Sequence, residues 1–253
     1  MFERLDGRGE GALGAFVMLG DPDLATSAAV LDSLVEGGAD MLEVGIPFSD
    51  PVADGPVIQA AAVRALAAGT RTADCFRLLG EFRARHPDIP VGILTYATLV
   101  MARGRDAFYG AAAESGVDSV LVADVPLLEA DPFLAAARAA GVAPVLIAAP
   151  NTPPERLARI AAEGEGYTYC VARAGVTGAD SRVRFAGDVI AALKEAGAPP
   201  PVLGFGISAP EHVRLALAAG AAGVISGSAI VERVARGEDV RSFVAGMKAA
   251  TVP

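Results

Sequence analysis

The stretch MLEVGIPFSDPVADGPVIQ, Met41 to Gln59, changes character twice within nineteen residues. Met41 to Ile46 reads as a buried strand carrying one carboxylate, Glu43. A loop stiffened by Pro47, Pro51, Gly55 and Pro56 follows, carrying Asp50 and Asp54, and a helix starts near Val57. A carboxylate inside an apolar strand costs several kcal/mol unless something compensates it. A second acid eleven residues on, on a rigid loop at the same strand end, supplies a counterpart. Two carboxylates whose environments differ make an acid/base pair. For each there is a plainer reading: Glu43 as a salt-bridged strand residue, Asp54 and Asp50 as turn or helix caps.

Working outward, the same beat recurs. Short apolar runs are expected as strands at Ala15–Leu19, Pro90–Tyr96, Ser119–Ala123, Pro144–Ala148, Tyr167–Val171, Pro201–Phe205 and Gly223–Ser226. Helical segments separate them, over Leu24–Glu36, Val57–Ala68, Thr72–Ala84, 107–115, Pro132–Ala140, Pro153–Glu163, Phe185–Ala196, Pro210–Ala219 and from Ser228, with a closing helix at Ser242–Ala250. Strands that are apolar throughout, separated by helices, indicate a parallel sheet covered on its outer face. Eight such beats in 253 residues predict an α/β fold, a single-domain (β/α)8 barrel over residues 1–253, with an extra N-terminal segment and additional helices. A doubly wound open sheet would need a Gly-rich turn after the first strand, and Gly20-Asp21-Pro22-Asp23 is not one.

Active sites of such barrels lie at the C-terminal strand ends. Asp23 is expected to cap the first long helix. Tyr96 and Tyr169 read equally as core aromatics or as walls for an apolar planar ligand. The small-residue loop ARAGVTGADSRVRF, Ala172 to Phe185, with Arg173, Gly175 and Gly178, suits a lid. Gly204 to Ser208 (GFGIS) and Ser226 to Ile230 (SGSAI) form a pair of glycine-bearing loops of the kind that holds phosphate, the second opening a helix at Ser228. The two lysines, Lys194 and Lys248, lie in late helices, which argues against Schiff-base chemistry. His86 and His212 stand apart from the strand ends, so carboxylates carry the acid/base work and no metal site is expected.

The totals narrow the classes further. A formal net charge of −9 argues against nucleic acid or an anionic membrane as partner. Apolar residues make up 53%, enough for a large core. Cys75 and Cys170 sit in helix and strand contexts, which suggests a reducing compartment. The charged N-terminus is unlike a signal peptide, and the uncharged run Leu215–Val231 is broken by glycines and serines. A cytoplasmic protein without a membrane span is expected.

The opening stretch closely resembles the signature LE-[LV]-G-[IV]-PFSDP-[LV]-ADGP-x-IQ of the tryptophan synthase alpha subunit. Gly116–Pro126 (GVDSVLVADVP), Gly166–Tyr169 (GYTY), Gly175–Gly178 (GVTG), GFGIS and ISGSAIV resemble that family's segments in the same order. The resemblance implies a lyase of tryptophan biosynthesis. It would split indole-3-glycerol phosphate into indole and glyceraldehyde 3-phosphate and pass indole to a beta subunit in an alpha2beta2 heterotetramer. Pyridoxal phosphate would belong to the beta subunit, with no cofactor in this chain. Glu43 would be the proton donor and acceptor, and Asp54 would hold the indole N–H. Phe16, Leu94, Tyr96, Leu121, Ala123, Tyr169 and Ile225 would line the pocket. Gly178, Phe205, Gly206, Gly227 and Ser228 would grip phosphate, Thr177 would order the lid against Asp54, and Pro47 and Asp50 would touch the partner. Met18, Thr98 and Ala62 depart from the family's common threonine, asparagine and asparagine. A stand-alone lyase releasing free indole is the alternative.

Overall fold

The computed structural model describes residues 1–171 and 179–252, with the side chains of 179–186 left aside. Nine parallel strands form one sheet: β1 (Ala12–Met18), β2 (Met41–Gly45), β3 (Val91–Thr95), β4 (Ser119–Val122), β5 (Ala143–Pro144), β6 (Leu146–Ala148), β7 (Thr168–Val171), β8 (Pro201–Gly204) and β9 (Gly223–Ser226). Their order is β5-β4-β3-β2-β1-β9-β8-β7-β6. The two outermost strands are consecutive halves of one run interrupted at Val145, so the chain itself joins the sheet's edges and makes it a barrel. β5 and β6 together are the predicted fifth strand, and the eight-beat barrel expectation holds.

The helices are α1 (Phe2–Asp6), α2 (Leu24–Glu36), α3 (Pro56–Ala67), α4 (Thr72–Arg85), α5 (Ala97–Arg103), α6 (Arg105–Glu114), α7 (Asp131–Ala139), α8 (Pro154–Glu163), α9 (Ala179–Glu195), α10 (Pro210–Ala218), α11 (Ser228–Arg236) and α12 (Val240–Lys248). As expected, Asp23 caps α2, its carboxylate accepting from the Thr26 N–H at 2.8 Å. Three expectations need correction. β1 begins at Ala12, not Ala15. Gly14 lies inside the strand: a Cβ there would lie 2.6 Å from Ile225 Cγ1, so glycine makes room for a neighbouring strand's side chain. Ala97–Arg103, unassigned in the sequence reading, is helical. α9 starts at Ala179, so the second half of the expected lid is helix. With Val183 the lone large apolar residue from Ala179 to Arg184, no periodicity marked it.

Strand alternation divides the apolar residues into two layers. Leu13, Ala15, Val17, Leu42, Val44, Ile93, Val120, Cys170, Leu203 and Val224 pack in the outer layer, toward the helices. Phe16, Met18, Met41, Leu121, Tyr167, Tyr169, Val202 and Ile225 fill the lumen. Glu43 falls between Leu42 and Val44, and so on the lumen face.

At the N-terminal floor, one device appears twice. Asp40, just before β2, donates its N–H to Leu13 O (2.8 Å) and accepts the Leu13 N–H on its carboxylate (2.8 Å). Asp118, just before β4, does the same to Val91 (2.8 and 2.7 Å). Ala222, just before β9, donates to Pro201 O at 2.8 Å; proline has no N–H to satisfy, and no acid stands there.

Candidate active site

The rigid loop after β2 sets the site. Pro47 is buried and Phe48 packs its ring 5.5 Å from that of Tyr96. The Ala53 N–H donates to the Tyr96 hydroxyl at 3.3 Å, and the Asp54 N–H to Pro51 O at 3.1 Å. Gln59, in the first turns of α3, donates its side-chain N–H to Asp54 O at 2.8 Å. Farther along α3, Arg64 grips the buried Asp21 carboxylate with two bonds of 2.7 Å. That fork ties the loop after β1 to the helix that follows Asp54.

Glu43 and Asp54 line the same cavity, of about 610 Å³, at the C-terminal mouth of the barrel. Phe16, Leu94, Leu121, Ala123, Tyr169 and Ile225 supply its apolar wall, and Phe205, Gly206, Gly227 and Ser228 its far end. Thus most of the expected pocket residues meet in one place. Tyr96 stands behind Asp54, bonded to its loop. Asp50 is exposed on the rim, where its carboxylate accepts from Ser49 Oγ at 2.5 Å. Thr177 and Gly178, with Arg173 and Gly175, lie outside the described residues. Met18 and Ala62 are buried in the lumen's apolar cluster, and Thr98 is exposed on α5. None of the three replaces a reacting group.

Glu43 is 1% exposed. Oε1 accepts the Tyr167 hydroxyl at 2.7 Å, while Oε2 has no hydrogen-bond partner among the described residues. Burial pushes its carboxyl up to about 7, with the Tyr167 bond pulling the other way. A carboxyl that titrates near neutrality both donates and accepts protons there. Burial also raises Asp54, opposed by its hydrogen bond with Tyr96. Burial raises the Tyr167 and Tyr169 hydroxyls, so both stay neutral donors. Tyr169 lies flush against β8, where a Cβ on Gly204 would sit 2.2 Å from its hydroxyl.

Tyr167 was read as a strand residue and not as part of the site. The signal was its spacing: Tyr167 and Tyr169 share a strand face, and one of them faces the lumen carboxylate if the other faces the lumen.

At the far end, the Gly227 backbone leads into α11 without a side-chain cap, leaving first-turn N–H groups free. Gly206 has φ 76°, and Phe205 holds φ 123°, a strained value for a residue with a side chain. Ser226 Oγ donates to Ile207 O at 2.7 Å, joining the two loops. The Ser208 N–H donates to His212 Nδ1 at 3.2 Å. A larger hollow, about 860 Å³, opens at the floor between α1 and α10. None of the buried unpartnered polar atoms among the described residues belongs to its lining. Among the described residues no helix is long and apolar enough to cross a membrane.

Comparison with known proteins agrees with this geometry. A family model described as tryptophan synthase alpha chain matches residues 2–251. The tryptophan synthase alpha chain of Shewanella amazonensis is 55% identical over 259 residues, covering 99% of this chain and 97% of that one. A solved chain from Aquifex aeolicus superposes with a TM-score of 0.93 at 33% identity, covering 100% and 97%. A chain in the crystal structure of the tryptophan synthase complex from Pyrococcus furiosus gives a TM-score of 0.84 at 35% identity, covering 95% and 98%.

Proposed function

The chain belongs to the tryptophan synthase alpha-chain family, and from that premise we propose that it cleaves indole-3-glycerol phosphate to indole and glyceraldehyde 3-phosphate. The observation that carries the reading is Glu43: buried, held by Tyr167 through one oxygen, unpartnered at the other, and lining one cavity with Asp54.

Glu43 donates a proton to the indole ring carbon that bears the glycerol chain. The ring loses aromaticity and its nitrogen becomes cationic. Asp54 accepts a hydrogen bond from that N–H and stabilises the charge. The side chain's hydroxyl proton passes to the Glu43 carboxylate, the hydroxyl carbon becomes an aldehyde, and the carbon–carbon bond breaks with its electron pair restoring the indole. Glu43 ends protonated, as it began. Phe16, Leu94, Leu121, Ala123, Tyr169 and Ile225 hold the indole plane and exclude water, while Tyr96 holds Asp54 from behind. Gly206, Phe205, Gly227 and Ser228 hold the phosphate through backbone N–H groups, with Gly178 and Thr177 completing the grip and the lid.

The whole chain, residues 1–253, acts as one domain in the cytoplasm, and its partner is a tryptophan synthase beta subunit in an alpha2beta2 assembly. Asp50 meets the partner directly, and Pro47 sets the path of the loop that does so. The chain uses no cofactor of its own. Pyridoxal phosphate belongs to the beta subunit, and the two lysines here lie on α9 and α12, away from the strand ends. The test is indole formation from indole-3-glycerol phosphate by the purified chain, alone and with a beta subunit. Slow turnover that rises on addition supports the reading. Fast turnover unchanged by the partner marks a stand-alone lyase, and no turnover in either case rejects the activity.

A further inference from the structure

Three carboxylates line the mouth cavity, Glu43, Asp54 and Glu232, and among its described lining residues there is no lysine, arginine or histidine. Glu43 and Asp54 belong to the reacting end. Glu232 does not. It lies on α11 four residues beyond Ser228, which puts the two side chains on one helix face, a turn apart. Among the described residues the cation paired with it is Arg236, at 3.8 Å, which also reaches Glu238 at 3.7 Å. Pairs this long and exposed neutralise little. Its carboxylate therefore stands one turn from the N–H groups to which the phosphate end was assigned above.

We propose that Glu232 is a specificity-determining residue of that end: its charge weakens the hold on a phosphate dianion and speeds departure of the phosphorylated product. The proposal rests on the phosphate reading of the α11 N-terminus. Like charges one helical turn apart repel even in water, and twice as strongly when one carries two charges. The effect is long-ranged and screened by salt, so it is separable from a change in cavity shape.

The experiment measures binding of inorganic phosphate and of indole to the full chain and to Glu232→Gln and Glu232→Lys, at about 0.05 M and about 0.5 M salt. Phosphate is expected to bind about threefold tighter to Glu232→Gln and about tenfold tighter to Glu232→Lys at low salt, with both gains shrinking at high salt. Indole, which has no charge, is expected to bind all three alike. In turnover, KM falls and kcat does not rise. Equal phosphate affinity in all three proteins overturns the proposal, as does a matching change in indole affinity. Gly227→Val separates this from the underlying reading. If that variant loses phosphate while the Glu232 variants behave as the parent, only the Glu232 proposal fails. If a folded Gly227→Val keeps phosphate affinity, the phosphate lies elsewhere and both fail.

Discussion

Asp40 and Glu43 stand three residues apart, one just before β2 and the other at its middle facing the lumen, and they are treated in opposite ways. Asp40, at the floor, accepts the Leu13 N–H and two contacts from Lys248 Nζ, at 2.8 and 3.1 Å; Lys248 also reaches Glu10 at 3.4 Å. Asp118 repeats the arrangement with the Val91 N–H and Arg83, which also donates to the carbonyls of Gly116, Pro87 and Ile89. Glu43, facing the mouth, has one tyrosine hydroxyl and an unpartnered oxygen. At the floor the largely buried Asp40 is surrounded by partners, and the more exposed Asp118 is gripped in the same way. The mouth withdraws a carboxyl and leaves it short of partners, which raises its proton affinity. Stability and reactivity are thus separated along a strand five residues long.

The sharpest way to break this contrast is Glu43→Gln. Cleavage is expected to fall by at least about 100-fold, with phosphate binding retained. The same variant tests the energetic half of the comparison. The native carboxyl, at about 7, lies above its ordinary 4.5, so the folded state holds the proton longer than the unfolded chain does. Stability therefore declines as pH rises from about 4.5 to about 7, by about 3 kcal/mol in all, and stays low above. Glu43→Gln, which cannot ionise, is expected to gain about 3 kcal/mol over the parent at pH near 8 and less than about 1 kcal/mol near pH 5. Urea unfolding midpoints at the two pH values check this; equal midpoints at both would mean Glu43 is not destabilised by burial.

At the floor the sign reverses. Lys248→Met is expected to lose about 1–3 kcal/mol of stability, since it strips Asp40 of its cation, while kcat stays at the parent value. A loss of activity without a loss of stability would refute the division between the two ends. Tyr167→Phe sharpens the mouth side. Removing a donor that favours the ionised form raises the Glu43 carboxyl further, so the protonated form that starts the reaction persists to higher pH and the pH–rate profile shifts upward. An unmoved profile would show that the 2.7 Å bond does not tune Glu43. The smallest effect is expected at Thr95, whose hydroxyl is buried without a partner at the end of β3. Thr95→Val keeps the shape and removes the orphan, and a gain of about 0.5–1 kcal/mol is expected; a loss would mean the hydroxyl is satisfied after all.

What the sequence made legible follows from what each residue type advertises. The strand runs were plain because both faces are covered, and Glu43 was plain because a lone acid in such a run is anomalous. Asp54 and the paired glycine loops followed from their places at strand ends. Other features carry no such mark. The start of β1 was hidden because a glycine chosen for close packing looks like a glycine chosen for a turn. α5 has seven residues and no side-chain cap. Tyr167 was overlooked because a tyrosine at a strand's edge is ordinary until the opposite wall of the barrel is known. The floor clamps at Asp40 and Asp118 involve partners 27 residues away, whose pairing only the register reveals.

The interruption at Val145 has a mechanical meaning. Ser119 with Ala143 and Val120 with Pro144 are the two register pairs between β4 and β5, joined by the Ala143 and Val145 N–H groups donating to Asp118 O and Val120 O. β1 and β2, by contrast, are paired from Gly14–Met41 through Met18–Gly45. A hoop riveted unevenly yields first where its rivets are fewest. Leu121 on β4, Ile147 on β6 and Tyr169 on β7 flank that arc and line the cavity. The wall beside the aromatic end of the cavity is therefore its most compliant part, while Glu43 is anchored on the stiffest.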